Sequence, residues 1–238
     1  MSSTASSRTS NSRALLLAAS LVIAGCTTSP PGAGVELFAD DFSSLDNWVL
    51  ESERPATVVV KDGAVDIDTP AGLTLWFKPR LTGPVEIEFD AIAVSDGGAN
   101  DQVSDLNVFW MASNRDGSAP FPGQRSGRFA DYNDLLTYYV GLGGNRNSTT
   151  RFRRYIGDPV QRPLLPEHDL SAPDFMLVPN QKQTIILKAD RTAIEFKRDG
   201  RALFRFEDAE PYTQGWFAIR TTWSHLRISR LRIRSLAP

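Results

Sequence analysis

Alternation of apolar and polar residues constrains this chain more than any other feature. Pro84-Val85-Glu86-Ile87-Glu88-Phe89-Asp90 puts Val85, Ile87 and Phe89 on one side of an extended strand and three acids on the other, a period of two that does not match a helix face. Similar runs occupy 58–60 and 64–67, joined by Asp62-Gly63 as a tight hairpin, and 184–189, 192–197 and 202–206, a meander turning at Asp199-Gly200. Residues 215–222 and 226–233 read as the last two strands, and 131–136 as one short helical turn. There is no internal repeat and no amphipathic helix of useful length, so from Glu36 onward the chain is expected to be all-β. Many strands with short turns and one stretch of long loops predict two packed sheets.

Residues 1–26 have a different character. Arg8 and Arg13 precede an apolar run over 14–24 that closes on Ile23-Ala24-Gly25-Cys26. The run is too short to span a bilayer and fits a secretory signal. Cys26 is the chain's single cysteine, so in a secreted protein it has no internal disulfide partner. Ile-Ala-Gly-Cys resembles a bacterial lipobox, which implies that Cys26 becomes the lipidated first residue; the alternative is an ordinary signal peptide with an incidental cysteine. Thr27 stands where many inner-membrane lipoproteins carry aspartate, which implies an outer-membrane anchor facing the periplasm or the cell surface. Residues 27–34 read as a flexible Pro/Gly-rich tether and 35–238 as a single domain.

The sequence holds 26 basic and 28 acidic side chains. Without residues 1–26, which contain two arginines and no acid, the balance is slightly more acidic, and nothing in it favours nucleic acid. A monomer touching the membrane only through the lipid on Cys26 is the expectation.

The opening Ala39-Asp40-Asp41-Phe42-Ser43-Ser44-Leu45-Asp46-Asn47-Trp48 and the closing run 226–233 resemble the first and last strands of concanavalin-like jelly rolls, which lie side by side. The blocks 105–113, 138–145 and 149–155 resemble a bacterial family of such proteins, of poorly defined function, encoded or fused with polysaccharide-degrading enzymes. The resemblance implies a two-sheet sandwich with a concave groove, and a carbohydrate setting. Alternation then sorts side chains. If Leu106, Val108, Trp110, Val140, Leu142, Phe152, Ile156, Phe217 and Ile219 mark the core, the groove face collects Asn107, Phe109, Tyr139, Gly141, Arg151, Arg153, Tyr155, Trp216 and Arg220. Arginine forks match carboxylates or sulfates bidentately, and aromatic rings stack on sugar faces. An anionic, uronate-containing polysaccharide or oligosaccharide is the expected partner; the bland alternative is that Arg151, Arg153 and Arg154 pair with acids on neighbouring strands.

Two histidines complete the candidate set. His225 follows Arg220 at the end of its strand, and His168 lies in the long proline-rich loop 157–180, which is placed to fold over the groove. A lyase or dehydratase acting by β-elimination needs groups that neutralise the uronate carboxylate, a base, and an acid for the leaving oxygen. Arg220 and Asn107 suit the first task, and Tyr139 or His225 the others; Arg151, Arg153, Tyr155, Trp216 and His168 would bind substrate. Concanavalin-like alginate lyases divide the work in this way, but this chain lacks their R-x-E-x-R and Q-x-H signatures. The alternative is a non-catalytic glycan-binding envelope lipoprotein. A glycoside hydrolase ranks third, because Glu86, Glu88 and Asp90 stand in the wrong order for the paired carboxylates of that fold. No Cys/His cluster has zinc spacing, Gly141-Leu142-Gly143-Gly144 does not lead into a helix, and no cofactor is expected; a structural calcium near Asp40 and Asp41 is implied only by the resemblance.

Overall fold

The computed structural model describes residues 1–2, 34–121, 123 and 125–236. The chain divides into two units, 1–31 and 32–238, and every described element lies in the second. Cys26, the signal run and nearly all of the tether lie outside the described residues.

Thirteen strands are present among the described residues: β1 (Glu36–Asp40), β2 (Trp48–Ser52), β3 (Thr57–Lys61), β4 (Ala64–Thr82), β5 (Val85–Ala93), β6 (Leu106–Ser113), β7 (Leu136–Gly143), β8 (Thr149–Ile156), β9 (Asp169–Leu170), β10 (Lys182–Asp190), β11 (Ala193–Arg198), β12 (Arg201–Glu207) and β13 (Gln214–Ser235). Two of them are long enough to serve both layers. The first half of β13 pairs with β4 residues 72–82 and with β6, giving a layer ordered β2-β4-β13-β6-β7-β8-β9. Its second half pairs with β4 residues 64–69 and with β5, giving the layer β3-β4-β13-β5-β10-β11-β12. The change of layer falls at a register shift between Thr222 and Ser224, opposite Thr69-Pro70-Ala71-Gly72 on β4. A proline and a glycine interrupt regular pairing there, as bulges do where strands turn a corner.

The sequence reading split β13 into two strands; they are one, bent at Trp223. The first and last strands are neighbours as the jelly-roll resemblance implies, with Asp40 opposite Leu231 and Phe38 opposite Ile233. Val85, Ile87 and Phe89 face Val108, Trp110, Val140 and Phe217 in the main core, with Phe89 and Phe217 rings 5.9 Å apart across the layers. The acids opposite them are not a solvated row. Asp90 is buried, and Arg230 reaches both Asp90 (2.8–2.9 Å) and Glu88, while Lys188 pairs with Glu86 at 2.9 Å. The short helical turn near 131 is a 3-10 turn at Phe129–Tyr132. Asp40 accepts from the Phe42 amide and the Trp48 indole, so it closes the opening turn, and no group of three or more His, Cys, Asp or Glu suited to a metal occurs among the described residues.

Candidate binding pocket

The register of the first layer sets the site. Reading across β2, β4, β13, β6, β7, β8 and β9, Glu51, Thr74, Arg220, Asn107, Gly141, Arg151 and Asp169 stand opposite one another in a single row. One step along the strands, on the same face, the row is Val49, Trp76, Ala218, Phe109, Tyr139 and Arg153. Alternation therefore brings Asn107, Tyr139, Arg151, Arg153, Tyr155, Trp216 and Arg220 to one face.

Half of that face is covered. Trp76, Phe109, Tyr139, Tyr155 and Trp216 pack with Phe121, Tyr132 and Leu135 from the segment before β7 in a second hydrophobic cluster. Glu51 fastens the cover, accepting from the Trp76 indole at 2.9 Å and the Tyr132 hydroxyl at 2.8 Å. Burial raises the Glu51 pKa despite those bonds. Tyr155 and Trp216 lie beneath this cover, and the Trp216 indole donates to the Lys78 carbonyl.

Beyond the cover the face opens as a pocket of about 480 Å³, within the range of small-ligand sites. Its walls include Arg146, Arg151, Arg153, Arg162 and Arg220, with Asn107, Tyr139, Gly141, Phe129, Thr149, Trp223 and one acid, Asp105. Of the five arginines, only Arg151 has a carboxylate within 4 Å among the described residues: Asp169, at 2.7 Å. The cross-strand pairing considered as the bland alternative thus applies to Arg151, and to Arg154, which binds Asp208 at 2.7 Å outside the pocket, but not to Arg153. Arg153 donates to the Arg162 carbonyl, and burial lowers its pKa.

Arg220 is the group that sequence alone would least expect to find so enclosed. It is 2% exposed, its single hydrogen bond runs 3.2 Å to the Gly127 carbonyl, and its Nε has no partner. Its guanidinium stands 4.7 Å from the Phe129 ring centroid and 5.7 Å from that of Tyr132. Burial lowers its pKa. Asn107 Oδ1 is also buried without a partner, while its amide donates to Asp105 at 3.4 Å. Burial raises the Asp105 pKa, against the bonds from Ser104 and Asn107 and the charge of Arg220. Gly141 keeps the floor open, since a Cβ there would lie 2.5 Å from the Tyr139 hydroxyl and 3.1 Å from Asn107 Oδ1. The Tyr139 pKa is raised well above its ordinary value, first by burial.

Neither histidine reaches this pocket. His225 is clamped between Asp66 (2.6 Å) and Asp101 (2.8 Å) at the layer change. His168 is buried edge-on against Phe152 at 4.8 Å and beside Phe204 and Phe206, so that part of loop 157–180 seals the core edge. Arg146, Arg162, Trp223 and Asp105 were not singled out from sequence; a glycine- and asparagine-rich turn before Arg146 was the available signal.

Similar solved structures have the same fold. A protein of unknown function with a galectin-like fold from Bacillus subtilis superposes with a TM-score of 0.67 at 14% identity, over 85% of this chain and 97% of that one. The carbohydrate binding module CBM66 from Bacillus subtilis gives 0.53 at 10%, over 79% and 96%. The carbohydrate recognition domain of Emp46p, in its potassium-bound form, gives 0.56 at 14%, over 86% and 98%. Identities this low establish shared architecture only. No curated protein matches the chain. Residues 67–231 match the family described as a domain of unknown function (DUF6250), and the chain belongs to that family.

Proposed function

We propose that the protein binds a glycan bearing carboxylate or sulfate groups, with the acidic group of one sugar held between Arg220 and Arg153 and its hydroxyls meeting Asn107 and Tyr139. Arg220 carries the reading. A buried guanidinium with no carboxylate within 4 Å among the described residues costs several kcal/mol of desolvation unless something supplies the charge, its Nε is buried without a partner, and Arg220 lines a pocket whose one acid has a raised pKa. Two of the similar folds are a carbohydrate binding module and a carbohydrate recognition domain, which is consistent with a sugar as the carrier of that charge. The lipobox-like Ile23-Ala24-Gly25-Cys26 supports an envelope location, with the domain tethered through a lipid on Cys26.

The test is equilibrium binding to a panel of acidic polysaccharides and their oligosaccharides beside neutral ones. Affinity confined to acidic members and lost in Arg153→Ala is the expected result; equal binding of neutral members refutes the reading. Elimination across a uronate is the second reading, favoured by the convergence of Tyr139 and Asn107 over Gly141 beside Arg220. It ranks below binding because the Tyr139 hydroxyl resists ionisation and no histidine lines the pocket. Ultraviolet absorbance of an unsaturated uronate, abolished by Tyr139→Phe, would reverse that order.

A further inference from the structure

We infer that Trp223 and Arg146 form an outer subsite for a second sugar, so that the ligand of the proposed pocket is an oligosaccharide with acidic groups on consecutive rings. The inference rests on the proposed function and extends it. At the inner end, Phe129 and the aromatic cover close the pocket; at the outer end, where β6, β7 and β13 leave the layer, Trp223 and Arg146 line it.

Both residues are held there by unfavourable backbone. Trp223 has φ +42° at the bulge in β13 and is 42% exposed, a combination rare for a bulky side chain. Arg146 lies in the middle of a left-handed turn, with Asn145 at φ 54°, ψ 52°, Arg146 at φ 60°, ψ 49°, and Asn147 at φ 58°. The side chain of Asn147 pins the turn by donating to the Leu177 carbonyl at 2.9 Å and accepting from its amide at 2.8 Å. Three successive non-glycine residues in left-handed backbone cost more than one exposed cation–π contact contributes. That contact, with the Arg146 guanidinium 5.8 Å from the Trp223 ring centroid, is the turn's visible product, and Arg146 has no carboxylate partner among the described residues. Strain of this kind collects at binding sites. An indole with a guanidinium over one of its faces, and no carboxylate on that guanidinium, suits a sugar ring packed against Trp223 with its acidic group on Arg146.

The test is calorimetric titration of the protein with mono-, di- and trisaccharides of galacturonate, mannuronate and glucuronate. In the series that binds, the disaccharide is expected to bind about tenfold more tightly than the monosaccharide, with little gain from a third ring. Trp223→Ala should abolish that gain, leaving the monosaccharide affinity intact, and Trp223→Phe should retain most of it. Arg146→Gln should reduce the gain and its dependence on salt. Monosaccharide binding with no gain, or a gain unchanged in Trp223→Ala and Arg146→Gln, overturns this inference alone. Failure of every uronate to bind, and of sulfated mono- to trisaccharides titrated beside them, overturns the acidic-glycan reading and this extension with it. Melting temperatures of the variants within a few degrees of the parent show that the fold is retained, and Arg146→Gln tests the subsite without touching the bulge.

Discussion

Replacing Arg220 by methionine separates a side chain kept for a ligand from one kept for the fold. Methionine has nearly the volume of arginine, a shorter reach and no charge. Its introduction relieves a desolvation penalty on the order of several kcal/mol and loses one hydrogen bond from a charged donor, worth about 1.5–3 kcal/mol. It also loses two desolvated cation–π contacts, worth up to about 2 kcal/mol each. The hydrogen bond to Gly127 is long, at 3.2 Å, and the Tyr132 ring is distant, at 5.7 Å, so these losses belong near the lower ends of their ranges. The methylene stem of Arg220 is already buried, so methionine adds little apolar burial, and the net effect on folding is neutral to about 2 kcal/mol stabilising. In a domain of this size that is an unchanged or higher melting temperature, at roughly 2–4 °C per kcal/mol. Binding of an acidic sugar loses a charge-assisted contact and should weaken about 10- to 150-fold, equivalent to about 1.4–3 kcal/mol. Differential scanning calorimetry and isothermal titration on the same preparation read both quantities. A melting temperature more than about 5 °C lower, with affinity within twofold of the parent, would show that Arg220 serves packing and would refute the argument.

Gly141→Ala should lower affinity at least tenfold and the melting temperature by a few degrees, because the added methyl group meets the Tyr139 hydroxyl and Asn107 Oδ1, both on buried side chains; titration beside calorimetry checks it. Arg146→Gly should raise stability by about 1 kcal/mol in chemical denaturation by relieving left-handed strain, while it removes the gain from a second sugar. Burial alone would lower the His225 pKa, but its hydrogen bonds and proximity to Asp66 and Asp101 raise it. The stability it adds is whole below about pH 6.5 and is lost as pH rises through the folded-state value. Denaturation midpoints should fall as pH rises through that interval, and His225→Gln should flatten the slope. Hydrogen bonds from Arg230, with help from Thr184 and Lys182, hold the Asp90 pKa down to about 2. That stability, about 2 kcal/mol, is whole above about pH 4 and lost as pH falls toward 2; Arg230→Gln should shift acid unfolding to higher pH.

Local alternation made much of this architecture readable. Val85, Ile87 and Phe89 face the core because a strand can bury only one side, and the parity of Leu106, Val108 and Trp110 assigns Asn107 to the opposite face without knowledge of its neighbours. What alternation could not convey is which part of that face stays open. The segment carrying Phe121, Phe129 and Tyr132 has no periodicity, and its position over Trp76 depends on Glu51, which is distant in sequence. Tyr155 and Trp216 consequently have the parity of pocket residues but lie under the cover. Closeness to Arg220 in sequence suggests a pocket position for His225, yet the bulge at Trp223 intervenes and delivers it to Asp66 and Asp101. The same bulge brings Trp223 to the pocket rim. A one-residue irregularity in β13 thus exchanges the two side chains, and nothing in Trp223-Ser224-His225 announces it. His168 fits neither catalysis nor ligand contact in this arrangement; its burial against three phenylalanines follows from contacts between β8, β12 and a loop turn.

Recognition of negative charge on a sugar is the central property proposed for the pocket. Titration with a uronate oligosaccharide and with its methyl ester tests that directly, because the ester preserves ring shape and hydroxyls, removes the charge and adds only one methyl group per carboxyl. At least a tenfold loss of affinity for the ester, together with loss of the salt dependence of binding, is the predicted result. Equal affinity for acid and ester would contradict the claim and leave the unpaired arginines without the role assigned to them.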